Sequence, residues 1–157
     1  MRVSPERVTD NVSQTKVPLL LTRPTCGANA FWKSLPNAAR EQMKLVVSPL
    51  LDIVPTEAKI SLPHAHGIIF TSANGVRHGP RASELPAYCV GPATTTEATQ
   101  AGWKARQLGE TADQLVEALA KKPKGFELIH ICGRHTRGNV AQRLRDHELI
   151  VATLVVY

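Results

Sequence analysis

Residues 67–75, with the sequence GIIFTSANG, decide the fold class of this chain. Gly67–Phe70 is a short, continuous apolar run, which is typical of a strand buried on both faces of a sheet. The next five residues are mostly small or hydroxylated, so they allow a ligand to approach the backbone and a helix to begin. A buried strand that leads through such a turn into a helix is the unit from which α/β proteins are built.

Two further units of the same kind follow along the chain. Ala87–Val90 leads into GPATTT at 91–96 and a helix that is predicted to end at Ala101. Glu127–Cys132 leads into GRHTRG at 133–138 and then into another predicted helix. Because strands alternate with helices, the pattern predicts a mostly parallel sheet.

Other segments complete this part of the chain. The helix of the third unit is expected to run through Leu144. The spacing of apolar residues predicts an amphipathic helix over Thr111–Lys121, with Thr111 as its N-cap. Leu149–Tyr157 is apolar and is predicted to be the last strand.

The sequence of the first part of the chain predicts fewer helices and strands. Val17–Leu21 reads as a strand, and a helical stretch over about Gly27–Met43 follows it, which Pro36 should kink or split. Leu45–Val54 predicts a second strand that Pro49 interrupts, so this strand should lie at an edge or bend between two lobes. We interpret the polar residues 1–16 as a disordered tail and 55–66 as a linker.

Composition restricts the class of protein. The chain has 157 residues, of which 43% are apolar, so it suits one ordinary domain or two small lobes and not a disordered chain. Its longest apolar stretch, at 149–157, is far shorter than the ~20 residues of a membrane-spanning helix, and we expect no membrane association. Three widely spaced cysteines predict no disulfide framework and favour a cytoplasmic location.

The chain carries a formal charge of +6, which attracts anions such as nucleic acid, acidic lipid or a small polyanionic substrate. Its basic residues are scattered and are not interleaved with aromatic residues, as binders of single strands require. We therefore expect no nucleic-acid partner. A basic α/β protein that contacts nucleic acid stays open as a weaker alternative.

The turns after the three strands of the repeated unit carry the predicted chemistry. Parallel strands place such turns along one edge, where helix N-termini offer unpaired N–H donors and the positive end of the dipole. Ser72 and Thr94 could merely cap helices, and for one turn alone that is the simpler interpretation. Three turns in series in a basic chain favour a ligand with several carboxylates or phosphates.

Several familiar motifs are absent or incomplete. Gly133–Gly138 has the glycine spacing of a phosphate loop, but Asn139 and Val140 stand where Lys and Ser or Thr would grip phosphate and metal. The sequence contains no GxGxxG and no GxSxG, which argues against a dinucleotide fold and a serine hydrolase. His130, Cys132 and His135 match no common zinc spacing, so we predict no metal site.

Six segments resemble uroporphyrinogen-III synthases, in the order in which they occur. They are LLLTRP (19–24), SPLLDIVP (48–55), GIIFTSANGV (67–76), AYCVGPATTTEATQAGW (87–103), ICGRHTRGNVAQRLRD (131–146) and TLVVY (153–157). The resemblance covers about residues 17–157. Its most specific part is FTSANGV followed at this distance by VGPATT.

The resemblance implies an α/β protein with a parallel-sheet, flavodoxin-like lobe and an incomplete second α/β lobe, joined by a strand ladder. It implies an enzyme that converts hydroxymethylbilane into uroporphyrinogen III with inversion of ring D, without metal or cofactor. The substrate carries eight carboxylates, which agrees with the expected row of anion-binding turns. A non-catalytic α/β module that binds anions or tetrapyrroles is the alternative.

The resemblance also assigns residues to roles. Tyr157 matches the tyrosine that closes the family's VY strand and is expected to assist loss of the hydroxyl leaving group. Arg23, Ser72 and Thr94 match substrate-binding positions, and the other predicted binding residues belong to the same turns: Ala73, Asn74, Gly91, Gly133 and Arg137.

The chain is shorter than members of that family usually are. We therefore expect residues 17–55 to be the N-terminal piece of a discontinuous first lobe, 56–152 a second lobe, and 153–157 the start of a return strand. On this interpretation the chain is truncated, and catalysis is weak or absent unless a partner chain or dimer completes the first lobe.

Overall fold

A computed structural model describes residues 15–57 and 64–157. The described residues form two compact units, one that ends at Asp52 and one that runs from Ile53 to Tyr157. The predicted tail lies outside the described residues except for residues 15 and 16, and so does the part of the predicted linker at 58–63. Among the described residues, no helix has both the length and the apolar character needed to cross a membrane.

The first unit contains two parallel strands and two helices. In chain order they are β1 Val17–Leu21, α1 Thr25–Ser34, α2 Asn37–Gln42 and β2 Met43–Val47. The two strands pair in parallel from Val17 opposite Met43 to Leu21 opposite Val47. Pro36 is the N-cap of α2, so the expected split of the helical stretch is confirmed.

The strand predicted over Leu45–Val54 was too long, because β2 already ends at Val47. Beyond it, the amide of Ser48 donates to the Leu21 carbonyl at 3.0 Å and the amide of Leu50 to that of Thr22 at 3.0 Å. Pro49 lies between these two donors and has no N–H of its own. The regular ladder therefore ends before the proline, and single hydrogen bonds from Ser48 and Leu50 keep the following residues beside the end of β1.

The first unit buries little of its apolar surface. Of its described residues, Ala28 is the only hydrophobic one that is fully buried, whereas Val17 is 65% and Leu20 58% exposed. Parallel strands are usually covered on both faces, so two strands with two short helices leave apolar side chains in contact with solvent.

The second unit is built on one parallel sheet of five strands. Its strands are β3 Gly67–Phe70, β4 Pro86–Val90, β5 Lys104–Gly109, β6 Glu127–Cys132 and β7 Ile150–Val155, and its helices are α3 Ala73–His78, α4 Pro92–Gln100, α5 Ala112–Leu119 and α6 Val140–Asp146. The order across the sheet is β5-β4-β3-β6-β7. The predicted α/β class with a parallel sheet is confirmed. Counted within the sheet, the order is 3-2-1-4-5, which differs from the 2-1-3-4-5 of flavodoxin.

The core of this unit lies on both faces of the sheet. Ile69 and Leu128 point to one face, where they meet buried side chains of α5 and α6, Leu115 and Leu144 among them. The opposite face carries a second cluster, in which strand residues pack against α3, α4 and Trp103. Because alternate residues of each central strand are buried on opposite faces, β3 is apolar throughout, as its sequence predicted.

Arg145 and Thr56 supply hydrogen-bond donors to the outer edge of β7 and to the residue that follows it. The guanidinium of Arg145 donates to the carbonyl of Val151 from Nε at 2.9 Å and from Nη2 at 2.6 Å. Thr56 donates from its amide to the Val156 carbonyl at 3.0 Å and from its hydroxyl to the Val155 carbonyl at 2.7 Å. These carbonyls therefore have partners although no further strand follows β7 in the described sheet.

Candidate functional site

The turns after β3, β4 and β6 meet at one edge of the sheet. β3 pairs in parallel with β4 on one side and with β6 on the other, so all three strands end at the same edge. The expectation of neighbouring turns at a shared edge is confirmed. The chain runs from β3 to β4 and β5 on one side and then crosses from β5 to β6 on the other side of β3, which makes this edge the switch point where open α/β folds bind ligands.

A cleft of about 250 Å³ opens at this edge. Its described lining residues are Thr71, Ser72, Val90, Ala112, Cys132, Gly133, His135, Thr136, Arg137 and Tyr157. None of these residues is acidic, Arg137 is cationic, and four carry hydroxyl groups. The cleft therefore presents hydrogen-bond donors and positive charge, which suits a carboxylate or phosphate group.

Four residues predicted as site residues line this cleft: Ser72, Gly133, Arg137 and Tyr157. Ala73, Asn74, Gly91 and Thr94 belong to the same turns but are not among the lining residues. Arg23 belongs to the first unit, where its guanidinium carbon lies 5.2 Å from the centre of the Phe31 ring. For all nine residues the role in binding or catalysis stays a prediction.

Ser72 caps α3 and also contacts Tyr157. Its Oγ accepts a hydrogen bond from the amide of Gly75 at 3.2 Å, so the predicted N-cap is confirmed. The same oxygen lies 2.7 Å from the hydroxyl oxygen of Tyr157, and either group can be the donor. Because the amide of Gly75 already uses one lone pair of Ser72, its hydroxyl proton is available to donate to Tyr157.

Tyr157 is held from three sides. A Cβ placed on Gly133 would come within 2.5 Å of Cε2 of the tyrosine ring, so the ring lies directly on the glycine backbone. The carbonyl of Tyr157 accepts from the amide of Arg134 at 2.8 Å. The ring of His78 is 5.9 Å away between centroids, at a tilt of 48°. The phenol is thus positioned by backbone contacts as well as by Ser72.

The turn after β4 differs from the prediction that Thr94 caps a helix. Gly91, at φ 73°, is the N-cap of α4, and Pro92 occupies the first helical position. Thr94 therefore lies inside the first turn, and only 6% of it is exposed. The hydroxyl that contacts the cap is that of Thr95, which donates to the Gly91 carbonyl at 2.8 Å. Amides of the first turn, such as that of Ala93, have no intrahelical acceptor.

An ion pair joins the two helices that begin at these turns. Nε of Arg77 on α3 donates to Glu97 Oε1 on α4 at 2.9 Å, and a second guanidinium nitrogen contacts the other carboxylate oxygen. Nη1 of Arg77 also lies 3.4 Å from Oδ1 of Asn74. The amide oxygen of Asn74 is therefore directed to the arginine.

The turn after β6 is a longer loop than its sequence suggested. α6 begins at Val140, and its N-cap Asn139 has a left-handed φ of 45°. Residues 134–139 are exposed. Gly138, at φ 82°, precedes the cap in a conformation that favours glycine. The loop places His135, Thr136 and Arg137 at the cleft. The spacing of its glycines does not by itself predict that these side chains line a cleft.

Two buried titratable groups, His130 and Cys132, lie at or beside the cleft. Nε2 of His130 lies 3.1 Å from Oγ1 of Thr71, and burial lowers the pKa of His130 to about 4. Burial also raises the pKa of the Cys132 thiol. Both groups are therefore uncharged at neutral pH. Within residues 15–57 and 64–157, no three His, Cys, Asp or Glu side chains gather in a group that could hold a metal ion.

Sequence reasoning missed three polar residues of the cleft: Thr71, His135 and Thr136. Thr71 could have been found, because it follows the last residue of β3 directly and begins the turn that the sequence had already indicated. His135 and Thr136 gave no such signal, because their positions depend on the path of the exposed loop.

Residues 35–157 match the family model described as uroporphyrinogen-III synthase HemD. The matched residues include every element of the second unit, together with α2 and β2 of the first. They do not include Arg23. A search of curated proteins returned no match.

Proposed function

The chain belongs to the uroporphyrinogen-III synthase family, and from that premise we propose that it converts hydroxymethylbilane into uroporphyrinogen III with inversion of ring D. The family match carries the proposal. The cleft at the edge of the sheet supports it, because a substrate with eight carboxylates needs many hydrogen-bond donors and no opposing negative charge.

Substrate binding is proposed to rest on hydroxyl groups, backbone amides and Arg137. Ser72, Ala73, Asn74, Gly91, Thr94 and Gly133 are the further proposed binding residues. The turns that contain them end three adjacent strands, so carboxylates of successive pyrrole rings can be held side by side. We propose a lesser role for Arg23, as an additional carboxylate contact.

Tyr157 is proposed as the proton donor for the first step. The C–O bond of the hydroxymethyl group breaks, its electron pair leaves with the oxygen, and the phenolic proton of Tyr157 converts the leaving hydroxide into water. An azafulvene cation remains on the substrate. Since Ser72 Oγ already accepts from the Gly75 amide, its proton can stabilise the phenolate that forms on Tyr157.

The later steps depend on positioning more than on acid or base strength. The azafulvene must meet the substituted carbon of ring D to give a spiro intermediate, which then reopens and closes in the inverted sense. Holding the two ends of the bilane together supplies much of the rate advantage. The overall reaction removes one water and leaves the oxidation state unchanged, so the proposed reaction requires no cofactor.

Separation of the products tests this proposal. The protein is incubated with hydroxymethylbilane, and the type I and type III isomers are quantified by chromatography after oxidation to porphyrins. Spontaneous closure gives only the type I isomer, so type III above a sample without protein supports the proposal. Type I alone, at the spontaneous rate, contradicts catalysis by this chain.

A non-catalytic tetrapyrrole-binding module is the second candidate. The cleft described in the second unit holds about 250 Å³, which is small for an entire linear tetrapyrrole. Binding of uroporphyrin III by the chain, together with type I as the sole product, would favour this candidate over the enzyme.

We also propose that the exposed apolar face of the first unit is covered by a partner chain or by a second copy of this chain. Leu20 and Val46 lie opposite each other on β1 and β2 and are 58% and 38% exposed. Exposed apolar patches of this kind mark contact surfaces. A cytoplasmic location is proposed as well, and the free thiols of Cys26, Cys89 and Cys132 agree with a reducing compartment.

A further inference from the structure

A buried histidine contacts one of the hydroxyl groups of the cleft. Only 3% of His130 is exposed, and within the described residues Thr94 is the other buried polar side chain. Nε2 of His130 lies 3.1 Å from Thr71 Oγ1, and Thr71 lines the cleft beside Ser72 and Tyr157. The proposed reaction makes no direct use of His130, which lies behind Thr71 as seen from the cleft.

We infer that His130 is a positioning residue: its Nε2–H donates to Thr71 Oγ1 and thereby directs the Thr71 hydroxyl proton into the cleft, toward a carboxylate of the bound tetrapyrrole. This inference rests on the proposed function, and it adds Thr71 to the residues that bind substrate.

The hydroxyl group of Thr71 has a limited hydrogen-bonding capacity, namely one proton and two lone pairs. If His130 donates to one lone pair, the proton of Thr71 stays available for an anion. If His130 accepted instead, Thr71 would spend its only proton on the histidine and turn lone pairs toward the cleft, where they would repel a carboxylate.

The surroundings of His130 are compatible with the first arrangement. Burial keeps the ring neutral, so one ring nitrogen carries a proton and the other does not. His130 also lines a second cleft of about 210 Å³, whose lining includes Arg134 and Arg145 as well as the amide and hydroxyl side chains of Gln142 and Thr153. Arginine side chains only donate hydrogen bonds, whereas amide and hydroxyl groups can donate as well as accept. With the proton on Nε2, Nδ1 can accept from donors on this side of the ring.

Of the adjacent hydroxyl groups of Thr71 and Ser72, that of Thr71 is better placed to contact a carboxylate of the substrate. Ser72 Oγ already accepts from the Gly75 amide and contacts the phenol of Tyr157. The hydroxyl group of Ser72 therefore already has two partners within the protein. Thr71 has no described hydrogen-bond partner besides His130, so its remaining capacity can serve a ligand.

The first measurement is the tautomer of His130. Nitrogen-15 NMR of the histidine side chains, assigned by comparison with His130→Gln, is expected to show His130 protonated at Nε2 between pH 6 and 8. Protonation at Nδ1 would overturn the inference, whatever the protein does with substrate.

The second measurement is a double-mutant cycle on binding of uroporphyrin III, a stable octacarboxylate. Thr71→Val removes the hydroxyl with little change of shape, and His130→Leu removes the donor behind it. Each is expected to weaken binding about tenfold, which is typical for loss of one hydrogen bond to a charged group. The double variant should bind no more weakly than Thr71→Val, because His130 acts through Thr71.

Conservative variants separate this role from a merely structural one. Thr71→Ser keeps the hydroxyl, and His130→Gln keeps an N–H donor near the position of Nε2, so both should restore most of the affinity. Additive losses in the double variant, or full affinity in His130→Leu, would overturn the inference. If the wild-type chain forms no type III isomer but the cycle behaves as expected, the proposed reaction fails and the role of His130 in carboxylate binding stands.

Discussion

The hydroxyl oxygens of Ser72 and Tyr157 lie 2.7 Å apart, although 85 residues separate them in the chain. Ser72 begins the helix that follows the central strand β3, and Tyr157 follows the edge strand β7. Their contact joins the switch point of the sheet to its last strand. The proposed proton donor and the group proposed to stabilise its conjugate base are thus adjacent.

Replacing Tyr157 by Phe should reduce formation of the type III isomer. The substitution removes the phenolic proton while the ring still packs on Gly133, so we expect kcat to fall at least about tenfold with KM nearly unchanged. Initial rates over a range of hydroxymethylbilane concentrations separate the two constants.

Tyr88→Phe is the matched control for this experiment. Tyr88 is the other tyrosine of the chain, is buried in the core and does not line the cleft. It should keep full activity. An unchanged kcat in Tyr157→Phe would remove Tyr157 from the role of acid.

Replacing Gly133 by Ala should displace the Tyr157 ring. The added methyl group would lie 2.5 Å from Cε2, and the ring cannot yield without leaving Ser72. We expect a loss of about 1–3 kcal/mol in the free energy of unfolding and loss of type III product. Urea denaturation and the isomer assay measure the two effects.

Gly27→Ala provides a comparison for that substitution. Gly27 lies within α1, and an added Cβ would meet only Arg23 Cδ at an ordinary 3.5 Å. Alanine is favoured over glycine within a helix, so stability should hold or rise by up to about 1 kcal/mol. Equal losses in the two variants would contradict the close packing inferred at Gly133.

His130 should make the stability of the protein depend on pH. Burial lowers its pKa from 6.5 to about 4, so between these values the unfolded chain binds a proton that the folded chain does not. Above pH 6.5 the ring is neutral in both states, and its contribution to the free energy of unfolding is complete. As the pH falls from 6.5 toward 4, the free energy of unfolding decreases by about 3 kcal/mol in all. Urea denaturation from pH 4 to pH 7 measures the slope.

His130→Gln cannot titrate and should lose this component of the slope. The difference between variant and wild type isolates His130 from the carboxylates that also titrate at acidic pH. Parallel curves for the two proteins across that range would show that His130 is not held neutral by the fold.

Arg145→Ala should expose the outer edge of β7. The variant removes two guanidinium donors from the Val151 carbonyl, so we expect a loss of about 1.5–3 kcal/mol in stability and concentration-dependent self-association. Denaturation and sedimentation measure the two effects. Arg106→Ala is the matched control, because it removes the same charge from β5, the opposite edge strand. No described group accepts a hydrogen bond from Arg106. This variant should change neither stability nor self-association by much.

Leu20→Glu tests whether the first unit is covered by a second copy. Leu20 is more than half exposed, so the charge should leave the fold intact while preventing association through β1 and β2. Sedimentation equilibrium should show a dimer for the wild type and a monomer for the variant. Ile150→Glu, at an exposed position of β7, should leave the dimer intact. A monomeric wild type would exclude a second copy and leave another chain as the partner.

Sequence reasoning was most successful where a strand is buried on both faces. Gly67–Phe70 and Glu127–Cys132 were predicted with their correct bounds, because short apolar runs bounded by small and polar residues are typical of central strands. The shared edge of the turns then followed from parallel pairing alone. The N-cap at Ser72 could be predicted from local chemistry, because a hydroxyl group directly before a helix commonly accepts a hydrogen bond from an amide of the first helical turn.

The features that were not predicted correctly also have physical explanations. β5 was not predicted, because KARQLG forms an edge strand whose residues are mostly in contact with solvent and carry no apolar alternation. A capping role for Thr94 was the simpler interpretation of its turn alone, because the positive φ of Gly91, which is the actual N-cap, cannot be predicted from the neighbouring residues. The path of loop 133–139, which brings His135 and Thr136 to the cleft, depends on Asn139 adopting a positive φ.

The contact between Gly133 and the ring of Tyr157 has an evolutionary consequence. A chain that acquired any side chain at position 133 could retain an aromatic ring at position 157 only by moving that ring away from Ser72 or by moving the backbone. We therefore expect positions 133 and 157 to co-vary across relatives. Position 133 should be glycine wherever position 157 is aromatic, and a larger residue should occur at position 133 only where the residue at position 157 is small.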